Sequence, residues 1–206
     1  MVVVWRIGLA ALLVLAMSRA GAQEVAAYGS DGANGSQNGN HDAVWSGATG
    51  YPVIEIWKTQ RKMQMRQGSA LLGEYRVSLG QNPKSGKQVQ GDGRTPVGRY
   101  FISDKNPGSR FHRFLGISYP NAEDADRGYR AGLLDAGQWA DIFLANLRGE
   151  APPSYTSLGG RVGIHGFGGR PYVPVDWTEG CIAVSDQEIE YIFENAPIGT
   201  LVVINE

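Results

Sequence analysis

A chain of 206 residues is long enough for one domain with a substantial core and for a targeting segment besides. Its 19 basic and 20 acidic residues leave a formal charge of −1, so the strongly positive surface of a nucleic-acid binder is not expected. One Cys and three His exclude an intramolecular disulfide and a cysteine-rich zinc site; with no clustered carboxylates, neither a metal nor another cofactor is expected.

The N-terminus reads as a secretory signal. Arg6 supplies positive charge, Ile7 to Met17 is a short apolar run, and Ala20-Gly21-Ala22 offers a small-x-small site for cleavage after Ala22. Retention as an uncleaved anchor is the alternative, although the run is short for a membrane span. No second long apolar stretch follows, so no stable membrane span is expected after cleavage. No Cys follows the run, which excludes a lipid anchor there. Export, to a periplasm rather than an outer wall, is the expected location. Residues 23–50 are rich in Gly, Asn, Ser and Ala and are expected to be a flexible tether, with His41 solvated within it.

From Tyr51 the pattern becomes that of a folded domain, 51–206. Val53 to Trp57, Met63 to Met65, Tyr75 to Leu79, Val97 to Ser103 and Phe114 to Tyr119 carry strand-type residues with turn signals between them. Asn121 can cap a helix. Asp135 to Leu147 is predicted helical, with Trp139, Ile142, Phe143 and Leu147 on one face. Gly149 to Gly160 is a loop, and Val162 enters a strand that ends at His165. Ser185, with Glu188 in the capping-box position, starts a helix to Glu194, and Leu201 to Ile204 closes the chain as a strand. No internal repeat is present. The expected class is α+β, mainly β, with two or three peripheral helices.

The chemistry concentrates in Gly163-Ile164-His165-Gly166-Phe167-Gly168-Gly169 and Asp176-Trp177-Thr178-Glu179-Gly180-Cys181-Ile182-Ala183. A lone Cys is more often a small buried apolar residue than a nucleophile. Glycines around both it and a His change that reading, because they let a backbone approach a substrate closely. A thiol needs a base to become a strong nucleophile, and an imidazole can take its proton and return it to a leaving amine. Cys181 is therefore the candidate nucleophile and His165 the candidate base and acid. The Gly166 carbonyl is the candidate group to orient the imidazole, and backbone N–H groups at Gly180 and Cys181 are candidate oxyanion donors.

Ile-His-Gly followed by Thr-x-Gly-Cys-Ile resembles the signature of the L,D-transpeptidase (YkuD) catalytic domain. Gly91-Asp92-Gly93-Arg94-Thr95-Pro96-Val97-Gly98 resembles the family's Thr-Pro-x-Gly turn, and Tyr75 to Gly80 the strand before it. The resemblance spans about Tyr51 to Asn205. It implies a β-sandwich-like fold, a peptidoglycan stem-peptide substrate and an acyl-enzyme at the Cys. Two positions depart from the commonest pattern: Glu179 stands where typical members have a second His, and Ala183 where they have Arg or Asn. The Asp-Trp-Thr-x-Gly-Cys-Ile-Ala form resembles the subfamily of the amidase that releases a wall-anchored lipoprotein. Hydrolysis, as an L,D-carboxypeptidase or such an amidase, is thus the alternative to transpeptidation, and a non-catalytic wall-binding module is a third reading.

Four further residues are candidates for substrate binding, each with a structural alternative. Arg161 can grip a carboxylate or make an ion pair. Thr178 can bond near the nucleophile or brace its own turn. Asp176 can orient Arg161 or His165, or cap a turn. His112 can line the cleft or lie outside it. Arg170 is read as a surface residue and Trp177 as core. The insert from Asn121 to Gly160 is positioned in the sequence to cover the cleft.

Overall fold

The computed structural model describes residues 50–206 apart from Tyr172. The predicted signal, and the tether up to residue 49, lie outside the described residues. The strands are β1 (Val53–Trp57), β2 (Lys62–Gln67), β3 (Ala70–Arg76), β4 (Gly98–Asn106), β5 (Phe114–Ile117), β6 (Gly163–His165), β7 (Ile182–Ala183) and β8 (Leu201–Asn205). The helices are α1 (Ala122–Arg130), α2 (Ala136–Arg148) and α3 (Asp186–Asn195). The architecture is mainly β, as the sequence indicates.

Strand alternation builds the first half of the sheet. Ile54 and Ile56 of β1, and Met63 and Met65 of β2, point inward while their neighbours are half-exposed. The strands lie in the order β3-β2-β1-β8-β4-β5-β6-β7. β4 carries the sheet from one half to the other. Its N-terminal part pairs with β8 and its C-terminal part with β5, with a register shift between Ile102 and Asp104. An irregularity of this kind bends a strand, and both halves close on one core that includes Ile54, Met65, Ile102, Leu115, Ile164 and Ile182.

The two ends of the curled sheet meet. Ser78, just beyond β3, exchanges two backbone hydrogen bonds of 2.9 Å with Ala183 of β7. Thr178 N–H donates to the Leu79 carbonyl at 3.1 Å, and Gln81 N–H to the Thr178 carbonyl at 3.0 Å. This differs from the strand predicted over Tyr75 to Leu79. The β2–β3 ladder ends at Lys62 and Arg76. Beyond it Val77 N–H turns to the Arg61 carbonyl, and Ser78, Leu79 and Gln81 bond to the far edge of the sheet, while Gly80 N–H donates to Thr95 Oγ1.

Helices α1, α2 and α3 each begin with a capping box, at Asn121 with Asp124, Asp135 with Gln138, and Ser185 with Glu188. α3 sends Ile189, Ile192 and Phe193 into the main core. α1 and α2 form a small core of their own around Ala125, Leu134, Ile142 and Leu158. The face expected for α2 is only partly the buried one: Ile142 is buried, but Leu147 is 72% exposed. The covered line runs through Ile142 and Ala145, because the nine-residue α1 reaches only that edge of the apolar stripe. The insert is tied down by Tyr119 Oη to the Leu158 carbonyl, Asn146 Nδ2 to the Pro120 carbonyl, and Arg127 Nη2 to the Lys87 carbonyl.

Candidate active site

β6 and β7 run parallel, with Ile164 opposite Ile182 and His165 opposite Ala183. Cys181 therefore lies two residues back from His165's partner, on the same face of the sheet. Strand spacing and rise put the two Cα atoms about 8 Å apart, within joint reach of a Cys and a His side chain. The turn that delivers Cys181 requires Gly180. Its φ is +135°, and a Cβ there would come within 2.6 Å of the Arg94 carbonyl oxygen. Thr178 clasps this turn: its buried hydroxyl donates to the Cys181 carbonyl at 2.7 Å and accepts from Gly180 N–H at 3.2 Å. That is the bracing role.

The Cys181 thiol points at the Arg161 carbonyl, with Sγ 3.8 Å from the oxygen. Burial pushes its pKa up. The Gly163 N–H and the Lys87 ammonium oppose that shift, Glu179 adds to it, and the net direction is upward.

His165 is buried, and its Nδ1 lies 2.7 Å from the Gly166 carbonyl oxygen. A carbonyl only accepts, so Nδ1 carries the proton and Nε2 keeps its lone pair. The ring stacks on Phe111 at 4.3 Å between centroids, and Trp177 meets it edge-on at 5.8 Å. Burial pushes the imidazole pKa down; the Gly166 carbonyl opposes this and Arg110 reinforces it. Both groups thus favour their neutral forms. The pair is a neutral thiol and a neutral imidazole rather than a preformed thiolate–imidazolium ion pair.

Asp186, at the start of α3, fixes the loop after His165. Its carboxylate accepts from the N–H groups of Phe167 at 2.6 Å, Gly168 at 2.9 Å and Gly169 at 2.6 Å. A Cβ at Gly166 would lie 2.4 Å from Asp186 Oδ1 and 2.8 Å from the Phe111 carbonyl, so only glycine fits there.

The other candidates separate. Arg161 brings its carbonyl, not its guanidinium, to the thiol. Its side chain is exposed, and its charge acts on Asp104, whose carboxyl burial pushes up against that charge. Asp176 orients neither Arg161 nor His165. It pairs with Arg61, Nη2 to Oδ2 at 2.6 Å, and accepts from Leu79 N–H at 3.0 Å. His112 bonds Glu190 on the surface at 2.7 Å. Trp177 packs on Phe111, His165 and Phe167 as a wall around the imidazole. Arg170 is exposed, as read. Glu179 is exposed and Ala183 is buried, so neither departure from the common motif sends a side chain toward the sulfur as a donor.

Phe111 and Asp186 were not singled out in the sequence. Phe111 lies in a loop without periodicity. Asp186 reads as an ordinary acid at a helix N-terminus, and only the glycine run after His165 hints that something must gather those N–H groups. Among the described residues no cluster of three or more His, Cys, Asp or Glu could hold a metal, and no helix is long and apolar enough to cross a membrane.

The described residues form a curled, mainly β domain with Cys181 on a glycine turn and His165 oriented by the Gly166 carbonyl. The model of the L,D-transpeptidase catalytic domain, YkuD, matches residues 51–204, and the chain belongs to that family. A curated relative from Escherichia coli K12, carried under the provisional name L,D-transpeptidase YafK, is 33% identical over 92 residues. That match covers 41% of this chain and 37% of the relative, well under half its length. The helical cell shape determining protein Pgp2 of Campylobacter jejuni has the same fold at a TM-score of 0.52 and 22% identity, over 76% of this chain and 48% of that one. An L,D-transpeptidase from Xylanimonas cellulosilytica aligns over 75% of this chain and 60% of its own at 14% identity and a TM-score of 0.44.

Proposed function

We propose that this protein is an exported cysteine L,D-transpeptidase, working in the periplasm on peptidoglycan stem tetrapeptides. The observation that carries this reading is the Cys181–His165 arrangement, with Nδ1 committed to the Gly166 carbonyl and Nε2 left as the base. The sulfur attacks the carbonyl carbon of the bond after the third, diamino acid residue while Nε2 takes the thiol proton. The carbon–nitrogen bond then breaks, the leaving D-Ala amine receives that proton, and a thioester remains on Cys181. An amine of a second stem attacks the thioester, gives its proton to His165, and the thiol is restored. The expected Gly180 oxyanion donor is replaced in this scheme. Gly180 N–H is spent on Thr178, and this scheme assigns Cys181 N–H as the donor to the tetrahedral oxygen.

A second reading, hydrolysis by water in place of the amine, is favoured by Glu179 and Ala183. With an exposed carboxylate and a buried methyl at those positions, the polar side chains of typical members are missing from the rim. A wall-linked lipoprotein is the partner that this reading adds. Mass spectrometry of the protein incubated with disaccharide-tetrapeptide, beside Cys181→Ala, separates the two. A cross-linked dimer from the parent alone supports transpeptidation, and tripeptide without dimer supports hydrolysis. Absence of any product or covalent adduct from the parent would falsify both.

A further inference from the structure

A buried ammonium sits beneath the turn that presents the thiol, and the reaction as described leaves it without a role. Lys87 belongs to the loop between residue 80 and β4, and its side chain is 5% exposed. Nζ donates to the Val89 carbonyl at 3.0 Å and to Asp92 Oδ1 at 2.9 Å. An ammonium has three N–H groups, so one remains. Nζ lies 3.9 Å from where a Cβ at Gly180 would stand, next to Cys181. A buried Lys is costly unless its charge is compensated.

Asp92 compensates it only in part, because that carboxylate is shared. It also accepts from the N–H groups of Gln88 at 2.7 Å, Val89 at 3.1 Å and Arg94 at 3.0 Å. Burial raises the Asp92 pKa, but these bonds and Lys87 together bring it below the ordinary value, so the carboxylate is charged at neutral pH. The loop is rigidly placed against the nucleophile's turn. The Arg94 carbonyl fills the space a Gly180 side chain would take, and Arg127 of α1 binds the Lys87 carbonyl at 3.1 Å.

We propose that Lys87 is a positioning residue that acts electrostatically: its ammonium, held under the Gly180–Cys181 turn by Asp92 and Val89, stabilises negative charge on the Cys181 sulfur when the thiol gives up its proton. Glu179, exposed on the turn and opposed in sign to Lys87, also bears on this sulfur, and His165 lies on the neighbouring strand β6. Among the described residues, Lys87 is the cation whose charge acts on it. A neutral resting thiol needs such a cation more than a preformed thiolate does, because the anion appears only as the proton leaves, at a half-buried sulfur that solvent reaches only in part. The inference rests on Cys181 being the nucleophile, but not on the identity of the substrate.

The test is the pH dependence of Cys181 alkylation by iodoacetamide in the full chain, which reads the thiolate directly and needs no stem peptide. Lys87→Met keeps the apolar stem and removes the charge. Its alkylation midpoint should move up by about one pH unit, a roughly tenfold slower reaction at a fixed pH below the midpoint. Lys87→Arg should restore most of the difference. Asp92→Asn, which relieves the ammonium of its counter-charge, should move the midpoint the opposite way. Circular dichroism establishes that each variant is folded. Opposite shifts in the Met and Asn variants support the proposal. Unchanged midpoints, shifts of one sign in both, or a Lys87→Arg protein that behaves like Lys87→Met would overturn it and leave Lys87 as a loop brace. Should stem peptides prove not to be substrates, the alkylation profiles keep their meaning.

Discussion

At the scale of single residues, the glycines did most to expose the site in the sequence. Gly166 and Gly180 each occupy space where a Cβ would strike Asp186 or the Arg94 carbonyl, so their appearance beside a His and a lone Cys reported real backbone crowding. What no sequence pattern disclosed is the aromatic enclosure of the imidazole. Phe111 stacks on it at 4.3 Å, and burial holds the ring in its neutral form. As the proposed base His165 acts only when neutral, so activity should fall as pH drops through its folded pKa, which lies below the ordinary 6.5. Phe111→Ala admits water to the ring and should move this acid limb toward 6.5, that is, to higher pH. A kcat/KM profile against pH for the two proteins checks the sign. His165→Gln should lower kcat/KM by about 10²–10⁴-fold at every pH, with no acid limb left to measure.

At the scale of elements, α3 does more than fill the core. Its first residue gathers three N–H groups of the loop that follows β6, and that loop holds the carbonyl on which the tautomer of His165 depends. Asp186→Ala should therefore cost about 2 kcal/mol of stability, from hydrogen bonds to a charged acceptor. It should also reduce kcat more than it raises KM, because the imidazole loses its fixed orientation rather than its contact with substrate. Urea unfolding with steady-state kinetics on the same variant checks both parts. The helix itself was legible, since Ser185 and Glu188 form the capping box their spacing predicts. Its tie to the site was not, since a first-turn acid looks the same whether it faces solvent or a glycine loop. Asp176 makes the same point. Its partner Arg61 is 115 positions away, on the turn between β1 and β2, and local spacing carries no trace of such a pair. Strand alternation revealed β1 and β2 for the opposite reason, because their two-residue period is written in consecutive side chains.

At the scale of the whole molecule, the two neutral groups of the site give stability a pH dependence of definite sign. His165 has a folded pKa below its unfolded value, so the unfolded chain binds the extra proton first and stability is lost as pH falls below about 6.5. Cys181 has a folded pKa above its unfolded value, so the unfolded chain releases its proton first and stability is lost as pH rises above about 8.5. Thermal melts between pH 5 and 10, a window set by these two groups with roughly a unit of margin, should give a maximum between the limbs. Cys181→Ala should flatten the alkaline limb below the range where tyrosines ionise, and leave the acid limb in place.

The meeting of the sheet's two ends at Ser78 and Ala183 has a consequence for how the protein fails. β7 has two residues, and the two backbone bonds between Ser78 and Ala183 join it to the chain beyond β3. The same short stretch delivers Cys181. An excursion that parts this seam, far smaller than global unfolding, lifts the sulfur away from both β6 and the Lys87 loop while the rest of the sheet stays intact. Reactivity of the thiol toward an alkylating reagent thus reports whether the seam between Ser78 and Ala183 is closed.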